Sequence, residues 1–261
     1  MKFKLLTLAG VLILSTLLLG CTASPRRAEP QALRFLLNKL AGGDERAGGS
    51  GRIVTEEFDI RGFSKLEVSH AFQVEVVRSS SYRVVIRVDD NLQEHLQVEK
   101  KRDTLVVGLK PSRSYNLRNT TLEAEIQLPE LEMIDASGAS EVRISGFSSS
   151  KDFQVNLSGA SYLEGDVTAR EVFIEVSGAS RARLQGKAEI LHVDASGASN
   201  LDLEDFPVED ADIELSGASE AAVVLNGTLD IDASGASRLY FGGSPTMGRV
   251  DLSGASSIKR R

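Results

Sequence analysis

The tetrapeptide Ser-Gly-Ala-Ser, repeated at a nearly constant spacing, is the feature that most constrains how this chain can fold. It occurs seven times, and its glycines are Gly138, Gly159, Gly178, Gly197, Gly217, Gly235 and Gly254. Successive glycines are 21, 19, 19, 20, 18 and 19 residues apart. Such a period is typical of solenoids, in which each unit buries its apolar face only against its neighbours. We therefore expect the glycines to mark one structural corner in each coil.

Apolar and polar residues alternate on both sides of each glycine. The fourth residue before it is always β-branched and aliphatic: Ile134, Val155, Ile174, Val193, Ile213, Ile231 and Val250. This period of two predicts that each unit has two short strands joined through the tetrapeptide, followed by a variable corner or a third strand. Strict alternation would point the glycine and the second serine inward, whereas a bulge would bury the alanine. Both arrangements remain open at this point.

A unit of about 19 residues excludes most repeat folds. Leucine-rich repeats need a helix or a Leu-rich convex segment after the strand, and propeller blades need about 40 residues or more. A parallel β-helix fits, because its coils stack about 4.8 Å apart through short strands. Parallel crossovers favour the right-handed form. The sequence thus predicts an all-β, single-stranded parallel β-helix over residues 52–261, with regular repeats at 131–261.

Alternating segments also precede the first tetrapeptide. They predict strands that include residues 65–68, 72–77, 82–88, 104–109 and 122–128. The stretch 91–99 is compatible with a helical turn.

The first 21 residues have the layout of a lipoprotein leader. Lys2 and Lys4 precede an apolar run from Leu5 to Leu19, and Gly20 and Cys21 follow it. We expect a signal peptide at 1–20 and a lipid on Cys21, the only cysteine in the chain. The run is short for a membrane-spanning helix, which needs about 20 apolar residues. In a Gram-negative cell, Thr22 rather than Asp after the cysteine argues against retention in the inner membrane, so the expected location there is the outer membrane, facing either side.

Residues 21–51 are rich in glycine and proline, which predicts a flexible tether. Leucines at helical spacing between Gln31 and Leu40 predict a short amphipathic helix inside it. This helix would lie on the lipid surface or, at such a length, fray in water.

Charge and cysteine content narrow the functional classes. The chain has 30 basic and 37 acidic residues, and removal of Lys2 and Lys4 leaves a net charge of −9. An acidic exported domain is a poor partner for nucleic acid. With one cysteine it has no intrachain disulfide, so burial and backbone pairing must stabilise it.

The third residue before each glycine forms an acidic row. Six members are carboxylates, Asp135, Glu175, Asp194, Glu214, Asp232 and Asp251, and the seventh is Asn156. On a β-helix they would form one outward ladder with like charges about 5 Å apart. Cation binding is one reading, but the preferred one is a solvated stripe that carries no metal and needs no cofactor. Carboxyl pairs at this spacing would also suit a retaining glycosidase.

Several segments resemble the bacterial GIN-domain family of autotransporter-adhesin head domains. The resemblance covers about residues 53–258 and rests on the opening Phe58-Asp-Ile-Arg-Gly-Phe-Ser-Lys-Leu-Glu-Val, on Asp103-Thr-Leu-Val-Val, on Leu128-Pro-Glu-Leu-Glu-Met-Ile and on the repeats. It implies a β-helical fold, an envelope location and an adhesive role, and it offers no catalytic residues.

The function predicted from these observations is a lipid-anchored, non-catalytic binding or scaffolding module of the cell envelope. Its expected partners are the membrane, through the lipid, and another envelope protein or a glycan; the sequence does not indicate an oligomeric state. The alternative is a carbohydrate-active hydrolase or lyase that uses the acidic row.

Overall fold

The structure, a computed structural model, describes residues 49–111 and 114–261. The expected signal peptide, the expected lipid site at Cys21 and the expected helix between Gln31 and Leu40 lie outside these residues. Within the described part, no helix is long and apolar enough to cross a lipid bilayer.

In the described part, seven strands and one short helix precede the regular repeats. The strands are β1 (Ile53–Phe58), β2 (Lys65–Val68), β3 (Gln73–Arg78), β4 (Arg83–Asp89), β5 (Leu96–Lys101), β6 (Thr104–Leu109) and β7 (Leu122–Leu128). A 3₁₀ helix, Asp90–His95, joins β4 to β5 and accounts for the helical turn expected near residue 91.

Fourteen strands follow among the described residues, two for each tetrapeptide. Those before the corners are β8 (Met133–Ala136), β10 (Phe153–Leu157), β12 (Glu171–Val176), β14 (Ile190–Ala195), β16 (Asp210–Leu215), β18 (Thr228–Ala233) and β20 (Thr246–Leu252). Those after the corners are β9 (Glu141–Ser148), β11 (Tyr162–Thr168), β13 (Arg181–Lys187), β15 (Asn200–Val208), β17 (Glu220–Leu225), β19 (Arg238–Gly243) and β21 (Ser257–Arg260). The variable remainder of each unit is therefore a corner and not a third strand.

The strands of the described part form two sheets. The ten-stranded sheet has the order β20-β18-β16-β14-β12-β10-β8-β2-β6-β5, and the eleven-stranded sheet has the order β1-β4-β7-β3-β9-β11-β13-β15-β17-β19-β21. All neighbouring strands from β8 to β21 are parallel, and Ile134 pairs with Val155 and Val155 with Ile174. Local register shifts occur in the pairs β9–β11, β15–β17 and β18–β20. The predicted parallel β-solenoid with a period of about 19 residues is confirmed.

The core fills the space between the two sheets. The aliphatic residues four positions before the glycine are at most 3 % exposed in six coils, whereas Val250 in the seventh is 41 % exposed. Burial of this continuous aliphatic column is the main stabilising contribution, because each coil covers the next one and has no disulfide to assist it.

The corner resolves the question of side-chain direction left open by the sequence. The second serine points inward at six of the seven corners, where its exposure is 2 % or less, while the glycine and the alanine are both exposed. Each glycine has a positive φ, between 64° and 75°, which turns the chain between the sheets. Alternation therefore predicts the serine correctly and the glycine wrongly, because the turn interrupts the strand at the glycine.

Close stacking explains why the corner residue is glycine. A Cβ built on Gly197 would lie 2.5 Å from the carbonyl oxygen of Gly178, and Gly217 meets Gly197 in the same way. The N–H of Ala198 donates to that Gly178 oxygen at 2.7 Å. The buried serines satisfy their hydroxyls locally; the Oγ of Ser199 donates to the carbonyl of Ser196 at 2.9 Å.

The region before the repeats departs from the expected uniform β-helix. Strands β1, β4 and β7 pair antiparallel, as do β5 and β6. Strands β2 and β3 form a coil of the solenoid, joined by Ser69-His70-Ala71-Phe72 where later coils have Ser-Gly-Ala-Ser. This coil lies between the coil formed by β6 and β7 and the coil formed by β8 and β9, so it has no sequence-adjacent coil beside it.

Candidate functional site

The outer face of the ten-stranded sheet carries the acidic row expected from the sequence. Strand register places Asp135, Asn156, Glu175, Asp194, Glu214, Asp232 and Asp251 in one column, and Glu67 of β2 extends it. From Glu175 onward its members are exposed, and in the described part none of the six predicted carboxylates is in an ion pair. Asp135 is half-buried, and this burial, with the charge of Glu67 as a second cause, raises its pKa.

The geometry of this row tests the cation-binding reading. A shallow groove of about 330 Å³ runs along it, lined by Asp135, Glu175, Asp194 and the first serines of three corners. Among residues 49–111 and 114–261, no three His, Cys, Asp or Glu side chains are grouped so that they could hold a metal ion. A straight column presents one carboxylate per coil, whereas calcium takes six to eight oxygen ligands around one point.

Two aromatic rings lie beside the acidic row. The rings of Phe173 and His192 stack with centroids 4.7 Å apart and an interplanar angle of 8°, because the two residues pair across β12 and β14. One imidazole nitrogen of His192, Nε2, lies 2.9 Å from Glu171 Oε1. The histidine is thus engaged with a carboxylate and a neighbouring ring, and no serine hydroxyl contacts it within the described residues.

The outer face of the eleven-stranded sheet has a different electrostatic character. Arg143 contacts Glu141 and lies 3.9 Å from Glu164 on the next coil. Arg183 lies 3.6 Å from Asp202 and 3.2 Å from Asp205. Side chains of opposite charge therefore face each other along the stack, and this face is largely neutralised by its own ion pairs.

A cleft of about 500 Å³ opens where the early coil meets the first regular coil. Five chain segments line it: residues 62–64, Arg78 at the end of β3, Tyr82, the connection 129–132 between β7 and β8, and residues 147–149 at the end of β9. Sequence reasoning missed this site. The only sequence signal is the 21-residue spacing between Gly138 and Gly159, the longest of the six intervals.

The extra residues of that interval lie in β9 and in the corner after it, next to residues 147–149, which line the cleft. Strand β9 has a bulge, because Gly165 pairs with Ile144 while Val167 pairs with Phe147. Gly146 in this bulge has a φ of 78°. The following corner, residues 149–152, is longer than its counterparts in later coils. It contains Lys151, whose ammonium group contacts Glu130 and Glu132.

Comparisons with known proteins agree with this architecture. The family model described as "Putative auto-transporter adhesin, head GIN domain" matches residues 62–245. A solved structure of a "putative adhesin" from Bacteroides fragilis is similar, with 19 % identity and a TM-score of 0.75 over 82 % of this chain and 100 % of that one. A "putative lipid binding protein" from Parabacteroides distasonis has 18 % identity and a TM-score of 0.68 over 83 % and 100 % of the two chains.

A further "putative adhesin", from Parabacteroides merdae, has 14 % identity and a TM-score of 0.62 over 82 % of this chain and 98 % of that one. At these identities the similarity to solved structures concerns the fold alone. A search of curated proteins gave no match.

Proposed function

Since this chain belongs to the family described as "Putative auto-transporter adhesin, head GIN domain", we propose that it is a non-catalytic binding module of the cell envelope. The observation that most directly supports this proposal is the stack of parallel coils, which presents fixed rows of side chains on two long outer faces. A constant core beneath varied outward positions is how solenoids build binding surfaces. The family and its structural relatives support adhesion rather than chemistry.

The same proposal includes a lipid anchor on Cys21. Its support is the sequence layout alone: two lysines, an apolar run and Gly20 before the cysteine. Two or more acyl chains would hold the protein on a membrane stably, as a single chain does not. A flexible tether over residues 21–51 would then separate the solenoid from the lipid surface.

Binding and catalysis are separated by one experiment on the purified protein. We would pass it over immobilised cell-envelope polysaccharides and proteins, scoring both retention and the release of new reducing ends. The proposal expects retention without release. Reducing ends that appear in proportion to the purified protein would instead support a carbohydrate-active enzyme.

The anchor is tested by labelling cells with an alkyne-bearing fatty acid. Wild-type protein and the control Thr22→Ser should be labelled and sediment with membranes, whereas Cys21→Ser should lose both properties. In a Gram-negative host, Thr22→Asp should keep the label but move the protein to the inner membrane. Labelling of Cys21→Ser equal to wild type would contradict the anchor.

A further inference from the structure

The cleft beside the first regular coil interrupts an otherwise uniform surface. Along the solenoid each Ser-Gly-Ala-Ser corner repeats the one before it, and a binding site for a discrete ligand needs side chains that differ from the repeat. The cleft provides such a place, because it combines the end of β3, the connection from β7 to β8 and the long corner after β9. Its segments belong to coils that are not adjacent in sequence.

The floor of the cleft is apolar and fixed. Phe63, Leu131 and Phe147 are 1 %, 4 % and 6 % exposed, so their positions are set by the core. The ring of Tyr82, which is more exposed, lies 5.0 Å from that of Phe63 at an angle of 56°. Packed aromatic and aliphatic side chains of this kind form a rigid, water-excluding base for a ligand.

The rim of the cleft carries charged groups that are oriented before any ligand arrives. Lys151 Nζ lies 2.9 Å from Glu130 Oε2 and 3.0 Å from Glu132 Oε1, and these contacts hold both carboxylates in place. The hydrogen bonds to the two glutamates raise the pKa of Lys151, so it stays charged. Arg78 Nε donates to the carbonyl of Pro129 at 3.4 Å and, in the described part, has no carboxylate partner within 4.0 Å.

These charges select the class of ligand. Two carboxylates and two cations balance one another, which disfavours a strongly charged ligand of either sign. The carboxylates accept hydrogen bonds, the guanidinium donates them, and the hydroxyls of Ser148 and Ser149 do both. An apolar base with a rim of mixed donors and acceptors suits a hydroxylated ring, and about 500 Å³ is ample for one or two such rings.

We infer that this cleft binds a neutral saccharide of one or two rings, with Arg78, Glu130 and Glu132 contacting its hydroxyls and Tyr82 lying against its C–H face. The inference rests on the proposed binding function and adds to the two outer faces one discrete site with a defined ligand class. Lys151 is a positioning residue here, because it acts through the two glutamates.

The test is saturation-transfer NMR on the protein as its host cell produces it, solubilised in mild detergent. The probes are three neutral disaccharides: maltose, lactose and N,N′-diacetylchitobiose. At least one should receive saturation at its ring protons. Arg78→Gln and Glu132→Gln should each weaken its binding about tenfold or more, because each removes a hydrogen bond to a charged group. Ser148→Trp, which fills the cleft from an exposed position, should abolish it.

Matched controls are Arg181→Gln and Glu175→Gln, which remove the same charges from the outer faces of the two sheets and should leave binding unchanged. Thermal melting confirms that each variant is folded. The inference fails if no disaccharide receives saturation, if the Arg78 and Glu132 variants bind like wild type, or if the controls lose binding equally. If envelope material still retains the protein in any of these cases, the cleft inference alone fails and the binding-module proposal stands.

Discussion

The regular stack from β8 to β21 and the irregular region from β1 to β7 both bury apolar side chains between the two sheets, but with different strand arrangements. In the stack, each corner copies its neighbour, and from Ala179 onward each alanine N–H donates to the preceding glycine carbonyl. In the irregular region, antiparallel pairing and a 3₁₀ helix are mixed with two parallel coils. The repeated coils are stabilised by the same backbone contacts at each Ser-Gly-Ala-Ser corner. The irregular region has no such repeat, so side chains of different kinds come together there.

The backbone conformation at the corners changes between the irregular region and the regular stack. At the early coil both His70 and Ala71 have positive φ, and at the first tetrapeptide both Gly138 and Ala139 do. At the later corners only the glycine does. The first tetrapeptide therefore keeps the sequence of the regular stack but adopts the backbone turn of the early coil. The cleft lies at the other corner of these coils, before β8 and after β9.

The largest expected effect is on the free energy of unfolding, when the residue that follows the corner alanine is replaced in the early coil and in a regular coil. Phe72 is fully buried where the repeats have serine. Phe72→Ser should lower the free energy of unfolding by about 4 kcal/mol, through lost burial and a residual cavity. Ser219→Ala, which removes a hydroxyl bonded to the carbonyl of Ser216 at 2.9 Å, should cost about 1 kcal/mol. Urea denaturation measures both, and equal costs would show that the two corners are equivalent.

A Cβ at a stacked glycine has the next largest effect. Gly197→Ala should lower the free energy of unfolding by about 3 kcal/mol, since it adds a clash with the Gly178 carbonyl to the strain of a positive φ. Gly51 is the matched control, because its φ is 80° and a Cβ there would meet nothing within 4 Å. Gly51→Ala should cost about 1 kcal/mol, from backbone strain alone. A Gly197 variant as stable as the Gly51 variant would mean that the stack can relax locally.

A pH effect should distinguish the early corner from the regular ones. Burial lowers the pKa of His70 below its usual 6.5, so the folded protein favours the neutral ring. The contribution is present above pH 6.5 and is lost as the pH falls through the lowered pKa, because the unfolded chain takes up the proton first. Chemical denaturation at a series of pH values should show a loss of about 1 kcal/mol or less, since the ring is partly exposed.

The control for this effect is His70→Asn, which tolerates a positive φ and does not titrate. It should flatten the pH dependence near pH 6. His192→Asn, which alters a histidine of the regular stack, should leave that dependence in place. A profile unchanged by His70→Asn would assign the effect to other groups.

The smallest effect lies at the junction of the two regions, in the acidic row. Burial and the charge of Glu67 raise the pKa of Asp135, so its contribution to stability is greatest below pH 3.8 and is lost as the pH rises through the raised pKa. Asp135→Asn should therefore raise the free energy of unfolding at pH 7 by about 0.5 kcal/mol. Glu67→Gln should raise it less, since burial is the larger cause. The opposite order, measured by denaturation at pH 7, would make repulsion dominant.

The sequence predicts the stack well because its information is local and repeated. The aliphatic positions four residues before and after each glycine specify the two strands and their inward faces, and seven copies remove ambiguity of register. The column of acidic residues follows from the same register. The GIN-family resemblance is confirmed by the family match over residues 62–245.

The early coil and the cleft could not be predicted in this way. Ser69-His70-Ala71-Phe72 shares only a serine and an alanine with the repeat, and histidine at the glycine position hides the equivalence. Strands β2 and β3 lie between coils that come later in the sequence. This placement depends on contacts between distant residues, so a local sequence pattern cannot predict it. Since the cleft is formed by this placement, its residues carry no common motif.

The interleaved position of the β2–β3 coil has a consequence for how the chain reaches its native state. This coil ends at Arg78, one of its neighbours ends at Leu128 and the other at Ser148, so one side stays uncovered for about fifty later residues and the other for about seventy. Each regular coil, in contrast, can add to the one just before it. Contacts between distant residues form slowly, because the loop between them must close first. Formation of the β2–β3 coil and its two neighbours would therefore limit the folding rate. The later coils would then add to it one after another.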